Sequence, residues 1–182
     1  MRKRSDEQLM KSYAGGDMAA FESLYERHRA PLYRYLLRLA GEPATANDLY
    51  QGAWEKVIKA RATYTAKAPF RAWLYRIAHN HAMDHFRRSQ PIAGEVPDEL
   101  ASPAPEPAEQ LANDSMQQDL QSAIRALPRD QRDTLMLKLE SGLDLQTIAE
   151  ITGVNPETAK SRLRYAVKRL KQILGDRNVP EG

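Results

Sequence analysis

Five of the chain's 11 prolines fall within the 17 residues from Pro91 to Pro107. Proline fixes φ and has no backbone N–H, so a segment this rich in proline is extended rather than helical. The segment also shows no apolar periodicity, which is typical of a linker. The sequence therefore predicts two domains, residues 1–90 and 113–182, joined by a flexible, acidic, proline-rich linker over residues 91–112.

Charge is distributed unevenly along the chain. In total, 27 Lys and Arg stand against 24 Asp and Glu, for a net charge of +3. Residues 1–90 carry 16 basic and 9 acidic side chains. Residues 91–127 carry 1 basic and 7 acidic side chains, and residues 128–182 carry 10 basic and 8 acidic ones. The net charge is therefore small because the acidic middle segment offsets the two basic end segments. Those basic segments favour contact with a polyanion such as DNA.

The composition excludes several classes of protein. The absence of cysteine excludes disulfide scaffolds, thiolate zinc sites and a cysteine nucleophile. No apolar run approaches the ~18 residues of a membrane span, and the basic start lacks the apolar segment of a secretory signal, so we expect a cytoplasmic protein. The sequence has no glycine-rich phosphate loop and no nucleophile elbow. We therefore expect no enzyme activity, no cofactor and no small-molecule substrate.

Apolar residues at three- and four-residue intervals predict helices throughout residues 1–90. We expect a helix through residues 21–39 that Pro31 kinks or restarts, a second from about residue 46 to 60, and a third over residues 70–88. Residues 61–69 form a loop by composition. No strand pattern occurs anywhere in the sequence, so the predicted fold class is all-α.

The back domain contains a helix-turn-helix pattern. Asp144 suits the N-cap of a short helix over residues 145–152, and Gly153 suits its C-terminus. Residues 155–157 then supply an N-cap, a first-turn proline and an acid for the last helix. Residues 156–171 carry six basic side chains against one acidic one. A basic helix after such a turn is typical of proteins that read the major groove of DNA.

The side chains of this last helix differ in their expected roles. Those in its first turns and away from its apolar face are candidates to read base edges, namely Thr158, Lys160, Ser161, Arg164 and Tyr165. Three others are expected to hold phosphates, namely Arg162, Lys168 and Arg169.

Aromatic and basic side chains alternate in the loop over residues 61–69 and in the helix that follows it. This mixture suits single-stranded DNA, because every base has a face that stacks on an aromatic ring. Packing in the core explains the residues at core spacing better than DNA contact does. These residues are Phe70, Trp73, Ile77 and Phe86. The helix residues that fall off that face are the better contact candidates, namely Tyr75, Arg76, His79 and Asn80.

Six segments of the chain resemble a known family. Residues 48–54 (DLYQGAW), 70–80 (FRAWLYRIAHN) and 82–88 (AMDHFRR) resemble region 2 of the extracytoplasmic-function (ECF) sigma factors of bacterial RNA polymerase, in the sigma-70 family. Residues 127–132 (LPRDQR), 148–150 (IAE) and 158–163 (TAKSRL) resemble region 4 of the same proteins. The resemblance implies a sigma factor, monomeric when free, that binds core RNA polymerase and promoter DNA and is controlled by an anti-sigma factor.

The resemblance also implies site residues. Asp48, Gln51 and Trp54 correspond to the surface that docks on the β′ coiled coil of the core enzyme, and region 4 corresponds to the part that binds the β flap. The residues that correspond to the reader of the melted −10 element are Tyr64, Lys67, Tyr75, Arg76, His79 and Asn80. The helix from Pro156 corresponds to the reader of the −35 duplex. At ~3.3 Å per residue, a linker of ~22 residues spans up to ~70 Å between the two elements.

Two departures from the family pattern stand in region 2. Gly52 replaces the glutamate that usually follows the glutamine of the docking helix, and His79, His81 and His85 replace residues that are more often arginine, apolar or small. His81 and His85 are spaced i, i+4, but a DNA-facing helix explains them better than a metal site.

A stand-alone, dimeric helix-turn-helix regulator is the alternative function. In such a regulator the front domain senses a ligand or mediates dimerisation, whereas the aromatic and basic character of residues 61–80 is better suited to open DNA.

Overall fold

The computed structural model describes residues 3–90 and 113–177. Within them the chain forms eight α-helices and no strand: α1 (Asp6–Ala14), α2 (Met18–Ala40), α3 (Pro43–Ala60), α4 (Phe70–Arg88), α5 (Asn113–Arg125), α6 (Arg129–Met136), α7 (Leu145–Thr152) and α8 (Pro156–Arg177). The all-α fold class is therefore confirmed. The predicted linker, residues 91–112, lies outside the described residues, and its domain boundaries stay a prediction.

The first helix begins at a capping box that apolar periodicity did not reveal. The Ser5 hydroxyl accepts a hydrogen bond from the N–H of Gln8, and the Gln8 side chain accepts one from the N–H of Ser5. Two of the backbone donors at the start of α1 are thereby satisfied. The helix then buries Leu9, Met10 and Tyr13 in the core of the front unit, which comprises α1–α4.

Pro31 does not restart the helix, so of the two predicted outcomes, a kink or a restart, the restart is wrong. The helix runs unbroken from Met18 to Ala40 with Pro31 inside it. Proline at this position removes one i to i−4 hydrogen bond. Burial of Leu24 and Leu32 on either side of the proline outweighs that loss, since both side chains are almost fully enclosed in the core.

The start of α4 is capped by a side chain from α1. Pro69 is the N-cap residue and makes no side-chain capping bond. Instead, the Glu7 carboxylate accepts a 2.9 Å hydrogen bond from the N–H of Phe70. This bond lowers the pKa of Glu7 below 4.5, because the positive end of the α4 dipole favours its charged form.

The back unit, α5–α8, contains a π-turn over Leu137–Ser141 that continues α6. Of the apolar residues around the start of this turn, Leu135, Met136 and Leu137 are buried. Leu139 is 63% exposed, because the wider π-turn rotates it out of register with the three before it. The turn closes at Gly142, whose φ of 65° is in the left-handed region.

The two units pack against each other. One hydrophobic cluster contains residues of α4, such as Leu74 and Tyr75, together with Met136, Leu137 and Ile148 of the back unit. Helix α2 contacts α6 and the π-turn, and α4 contacts α7. This arrangement, which the sequence did not indicate, decides which of the candidate site residues are exposed.

Candidate nucleic-acid and polymerase interfaces

Helices α7 and α8 form the predicted helix-turn-helix with the predicted caps. The Asp144 carboxylate accepts a 2.8 Å hydrogen bond from the N–H of Thr147 at the start of α7. Gly153 ends α7 with a φ of 72°, a conformation that costs glycine little. The Asn155 side chain then accepts a 2.8 Å hydrogen bond from the N–H of Thr158. These local bonds fix the angle at which α8 leaves the turn.

One face of α8 is held by the rest of the back unit. Ala159 and Ala166 are fully buried, and Leu163 and Leu170 pack against Leu127 and Leu135. Val167, an apolar residue next to Ala166, is 37% exposed and lies at the edge of this packed stripe.

The other face of α8 carries most of the predicted −35 contacts. Five of them are exposed, namely Lys160, Arg164, Tyr165, Lys168 and Arg169, and two are half-buried, namely Thr158 and Ser161. The Arg164 guanidinium lies 5.2 Å from the centre of the Tyr165 ring, so the two side chains form one platform. Arg162 differs from these residues, because it is half-buried and lies 3.4 Å from the Asp130 carboxylate. Its charge is therefore partly neutralised within the back unit.

The loop before α4 shares a cavity with α7. The cavity measures about 240 Å³, and its lining includes Lys67, Trp73, Arg76 and Glu150. Lys67, Arg76 and Asn80 are exposed, as a role in DNA contact requires. The Arg76 guanidinium lies 3.9 Å from the Glu150 carboxylate, which joins α4 to the helix-turn-helix.

Tyr64 is less accessible than its place in a loop suggested. Its ring packs edge-on against Trp73, with centroids 5.0 Å apart, and its hydroxyl is buried without a hydrogen-bond partner among the described residues. Burial raises the pKa of the Tyr64 phenol. The aromatic contact candidate of the loop is thus also part of the packing around Phe70, whose ring lies 6.2 Å away.

Tyr75 and His79 are buried, so the prediction that they lie on an exposed face of α4 was wrong for this conformation. Tyr75 is 1% exposed and His79 is 6% exposed. The Tyr75 hydroxyl donates a 3.4 Å hydrogen bond to the carbonyl of Glu140, and Nδ1 of His79 lies 3.1 Å from the Asp133 carboxylate. Both partners belong to the back unit, which sequence spacing within α4 does not reveal.

Polar contacts hold the π-turn of the back unit on the front unit. The Arg34 guanidinium donates through Nε to both Glu140 carboxylate oxygens, at 3.2 and 3.0 Å. Arg71 donates a 2.9 Å hydrogen bond to the carbonyl of Ser141. Burial, and then the Glu140 carboxylate, raise the pKa of Tyr75, so its hydroxyl remains a donor at neutral pH.

The predicted docking helix, α3, exposes two of its three predicted residues. Asp48 and Gln51 are exposed, whereas Trp54 is 5% exposed and packs against the rings of Tyr25 and Phe21. The Trp54 ring is therefore enclosed by these two rings in this conformation, and its role in docking stays a prediction.

Two exposed residues of α3 escaped the sequence analysis. Glu55 and Ile58 lie seven and ten positions after Asp48, so they continue its face of the helix. Ile58 is 36% exposed. The signal that identifies them is helical spacing from Asp48 and Gln51.

Comparisons with known proteins agree with this architecture. Residues 24–92 match the family Sigma-70 region 2, and residues 117–170 match Sigma-70, region 4. The ECF RNA polymerase sigma factor SigM of Mycobacterium tuberculosis (strain ATCC 25618 / H37Rv) is 30% identical over 179 residues, which are 97% of this chain and 88% of SigM. The chain belongs to the ECF RNA polymerase sigma factors.

Other known proteins are also similar to this sigma factor in sequence or in fold. RNA polymerase sigma factor CarQ of Myxococcus xanthus is 29% identical over 168 residues, which cover 92% of this chain and 96% of CarQ. CnrH, solved with the cytosolic domain of CnrY, has a TM-score of 0.71 at 22% identity and covers 97% of this chain and 100% of its own. RpoE of Bartonella quintana, solved with the anti-sigma factor NepR, has a TM-score of 0.66 at 23% identity. The match covers 85% of this chain and 96% of RpoE. These two structures share the fold.

Membership of this family gives the general function. Sigma factors bind core RNA polymerase and promoter DNA and act in transcription initiation without catalysing a reaction, so the stand-alone regulator is not favoured. Among residues 3–90 and 113–177, no helix is long and apolar enough to cross a membrane. The same residues contain no group of three or more His, Cys, Asp or Glu side chains suited to a metal ion.

Proposed function

We propose that this sigma factor divides promoter recognition between its two units, with α8 in the major groove of a −35 duplex and the region around the start of α4 on a melted −10 element. The observation that carries the proposal is the exposed basic face of α8 beyond a fully capped turn. Arg164 and Lys160 read base edges, and Lys168 and Arg169 hold phosphates.

The −10 role requires the two units to separate. Lys67, Arg76 and Asn80 are accessible when the units are packed, whereas Tyr75 and His79 are covered by the back unit. Binding to core enzyme opens the molecule, and the linker over residues 91–112 allows the units, residues 1–90 and 113–182, to reach the two promoter elements. Strand opening then follows from tighter binding of the separated strand than of the duplex.

Core enzyme binds the exposed face of α3. Asp48 and Gln51 contact the β′ coiled coil, Glu55 and Ile58 extend that surface, and Trp54 supports it from below. The back unit binds the β flap. An anti-sigma factor that covers these surfaces controls the protein, as suggested by the anti-sigma factor NepR in the structure of RpoE.

Run-off transcription tests the proposal. Core polymerase with the wild-type chain is given a genomic promoter library, and the start sites are mapped. Promoter-specific initiation that requires the chain is expected. Failure to direct initiation with any cognate core enzyme refutes the proposal, and tight dimeric binding to duplex operators without polymerase supports the stand-alone regulator instead.

A further inference from the structure

Helix α1 contacts the loop that joins α3 to α4, residues 61–69, which we call the −10 loop. The short helical turn Arg61–Thr63 at the start of this loop packs on α1, and so does α4, which begins where the loop ends. None of the predicted −10 contacts lies on α1 itself. The helix nevertheless reaches both ends of the segment that precedes most of those contacts.

The end of the −10 loop is held by the first turn of α1. The Glu7 carboxylate accepts the 2.9 Å hydrogen bond from the N–H of Phe70, the first residue of α4. Pro69 makes no side-chain capping bond, so Glu7 takes the part of a cap. Asp6 acts at the same point, because it lies 2.8 Å from Nε2 of His28, whose ring packs 5.3 Å from the Phe70 ring. Two neighbouring carboxylates thus fix the position of Phe70.

The start of the −10 loop is held by the last turn of α1. The Arg61 guanidinium lies 5.7 Å from the centre of the Tyr13 ring, a cation–π contact. Tyr13 is buried, and its ring lies 4.7 Å from that of Phe21 on α2. The ring is therefore a fixed surface on which Arg61 rests.

Both points of attachment lie on one helix. Glu7 and Tyr13 are six positions apart, and a helix rises ~1.5 Å per residue, so about 9 Å separates them along its axis. A free chain of nine residues reaches up to ~30 Å at ~3.3 Å per residue. Helix α1 is itself anchored, because Leu9 is buried and Asp6 pairs with Arg27 at 2.8 Å. The −10 loop is therefore tethered to one rigid element at well under its full reach.

Tyr64 connects this tether to the predicted DNA contacts. Its ring packs against Trp73, with centroids 5.0 Å apart. Burial, followed by the charges of Glu7 and Asp6, raises the pKa of its phenol, so the hydroxyl stays protonated near the carboxylates of α1 at neutral pH. Since Tyr64 faces inward, the exposed residues 65–68 form the outer part of the loop.

We propose that Glu7 and Tyr13 are positioning residues for promoter recognition, which set the separation of the two ends of the −10 loop and thereby the shape that residues 65–68 present to a melted −10 strand. The proposal rests on the proposed function, which assigns the −10 contacts, and adds to it a helix that touches no base. A loop that is free to move loses conformational freedom when it binds a strand, whereas a loop already held in place loses less. Base discrimination at the −10 element therefore depends on α1.

Hydrogen exchange on the free, full-length chain tests the tether in the absence of DNA. Glu7→Ala removes the bond that caps α4 and should speed the exchange of residues 61–72 about tenfold relative to residues 31–40 of α2. The ratio of the two segments cancels any change in global stability. Glu22→Ala, which removes an exposed carboxylate of α2, is the matched control and should leave this ratio unchanged.

A second variant tests the other end of the loop and preserves the buried Tyr13 ring. Arg61→Gln removes the cation from that ring and should speed the exchange of residues 61–64 by at least about twofold relative to residues 31–40. Lys11→Gln removes an exposed charge from α1 itself and should have no such effect.

Run-off transcription with core enzyme tests the effect on recognition. The templates carry the promoter mapped for the wild-type chain, or that promoter with one base changed in its −10 or in its −35 element. The product from the mapped promoter divided by that from an altered one gives the discrimination at each element. Glu7→Ala should lower the discrimination at −10 by at least about threefold and leave that at −35 unchanged.

These ratios separate positioning from a purely structural role. Loss of folded protein lowers the product from every template alike, so it changes neither ratio. Glu7→Gln keeps an acceptor oxygen but loses the charge, so its discrimination at −10 should lie between those of Glu7→Ala and the wild type. Glu22→Ala should match the wild type at both elements.

Three results would overturn the role of α1. They are unchanged exchange of the −10 loop in both Glu7→Ala and Arg61→Gln, faster exchange with unchanged discrimination at −10, and equal losses of discrimination at −10 and −35. Each of them leaves the proposed function standing if the wild-type chain directs promoter-specific initiation. A wild-type chain that directs no initiation refutes the proposed function itself.

Discussion

The hydroxyl of Tyr35 on α2 donates a 2.7 Å hydrogen bond to Oδ1 of Asp133 on α6, a residue 98 positions further along the chain. The other carboxylate oxygen of Asp133 lies 3.1 Å from Nδ1 of His79 on α4. Asp133 is 5% exposed, so its polar partners are these two side chains of the front unit rather than water. A buried carboxylate of one unit is thus satisfied by the other unit, and its burial depends on their contact.

Removing the Tyr35 hydroxyl should weaken the packing of the two units. Tyr35→Phe leaves the Asp133 carboxylate with one partner fewer and should lower the free energy of unfolding by about 1–3 kcal/mol. Tyr33→Phe, the same change at a half-buried ring of the same helix, is the control and should cost less than about 0.5 kcal/mol. Urea denaturation followed by circular dichroism measures both. Equal losses in the two variants would mean that the bond to Asp133 contributes nothing.

The cap that Glu7 places on α4 should make stability depend on pH. Because the hydrogen bond from Phe70 lowers the pKa of Glu7 in the folded state, its stabilisation is complete above the unfolded value of 4.5 and is lost as pH falls through the lowered pKa. Glu7→Gln should therefore be less stable than the wild type at pH 7, and the difference should shrink below pH 4.5. Glu22→Gln, on the exposed side of α2, controls for the loss of one negative charge. A stability gap for Glu7→Gln that stays constant down to pH 3 would contradict the capping role.

The exposed face of α8 should separate base reading from phosphate binding. Arg164→Ala should relax sequence preference at one position of a −35 duplex by about 1–3 kcal/mol. Lys168→Ala should weaken all duplexes alike and reduce the salt slope by about 0.9. Competition binding with a set of single-base duplex variants distinguishes the two. If both substitutions act equally on every sequence, the division of roles is wrong.

The contrast between Asp48 and Trp54 should separate docking from folding. Asp48→Lys reverses an exposed charge, so we expect weaker binding to core polymerase with stability changed by less than about 0.5 kcal/mol. Trp54→Ala removes a buried ring and should cost about 3–5 kcal/mol of folding stability. Co-elution with core enzyme and urea denaturation measure the two effects. Glu26→Lys, an exposed charge reversal on α2, is the matched control, and equal loss of core binding in it would refute the docking surface.

Local signals in the sequence predicted most of the helices. Asp144, Gly153 and Asn155 make the caps that their types suggested, and α4 and α7 have the bounds that apolar spacing indicated. These features depend on neighbours within about four residues. The local pattern left open whether Pro31 kinks or restarts α2, and the helix continues through it because packing outweighs the local penalty.

The exposure of site residues was harder to predict, because it depends on contacts between distant segments. Tyr75 and His79 lie off the apolar face of α4, but Glu140 and Asp133 of the back unit cover them. The contact between Gly52 and His81 spans two helices in the same way. Spacing along one helix gives the direction of a side chain from its axis, and only the packed structure shows what lies there.

The distance between Ala30 and Leu139 tests the central claim, that the packed units must separate before α4 can read DNA. Both residues are exposed, and Ala30 lies one turn before Arg34, which binds Glu140 next to Leu139. The chain has no cysteine, so Ala30→Cys with Leu139→Cys gives a unique pair for two dyes, and Glu22→Cys with Ala30→Cys on α2 gives a control pair of fixed separation. Energy transfer across the first pair should be high in the free protein and should fall when core polymerase and promoter DNA bind. Unchanged high transfer in a complex that initiates transcription would contradict the claim.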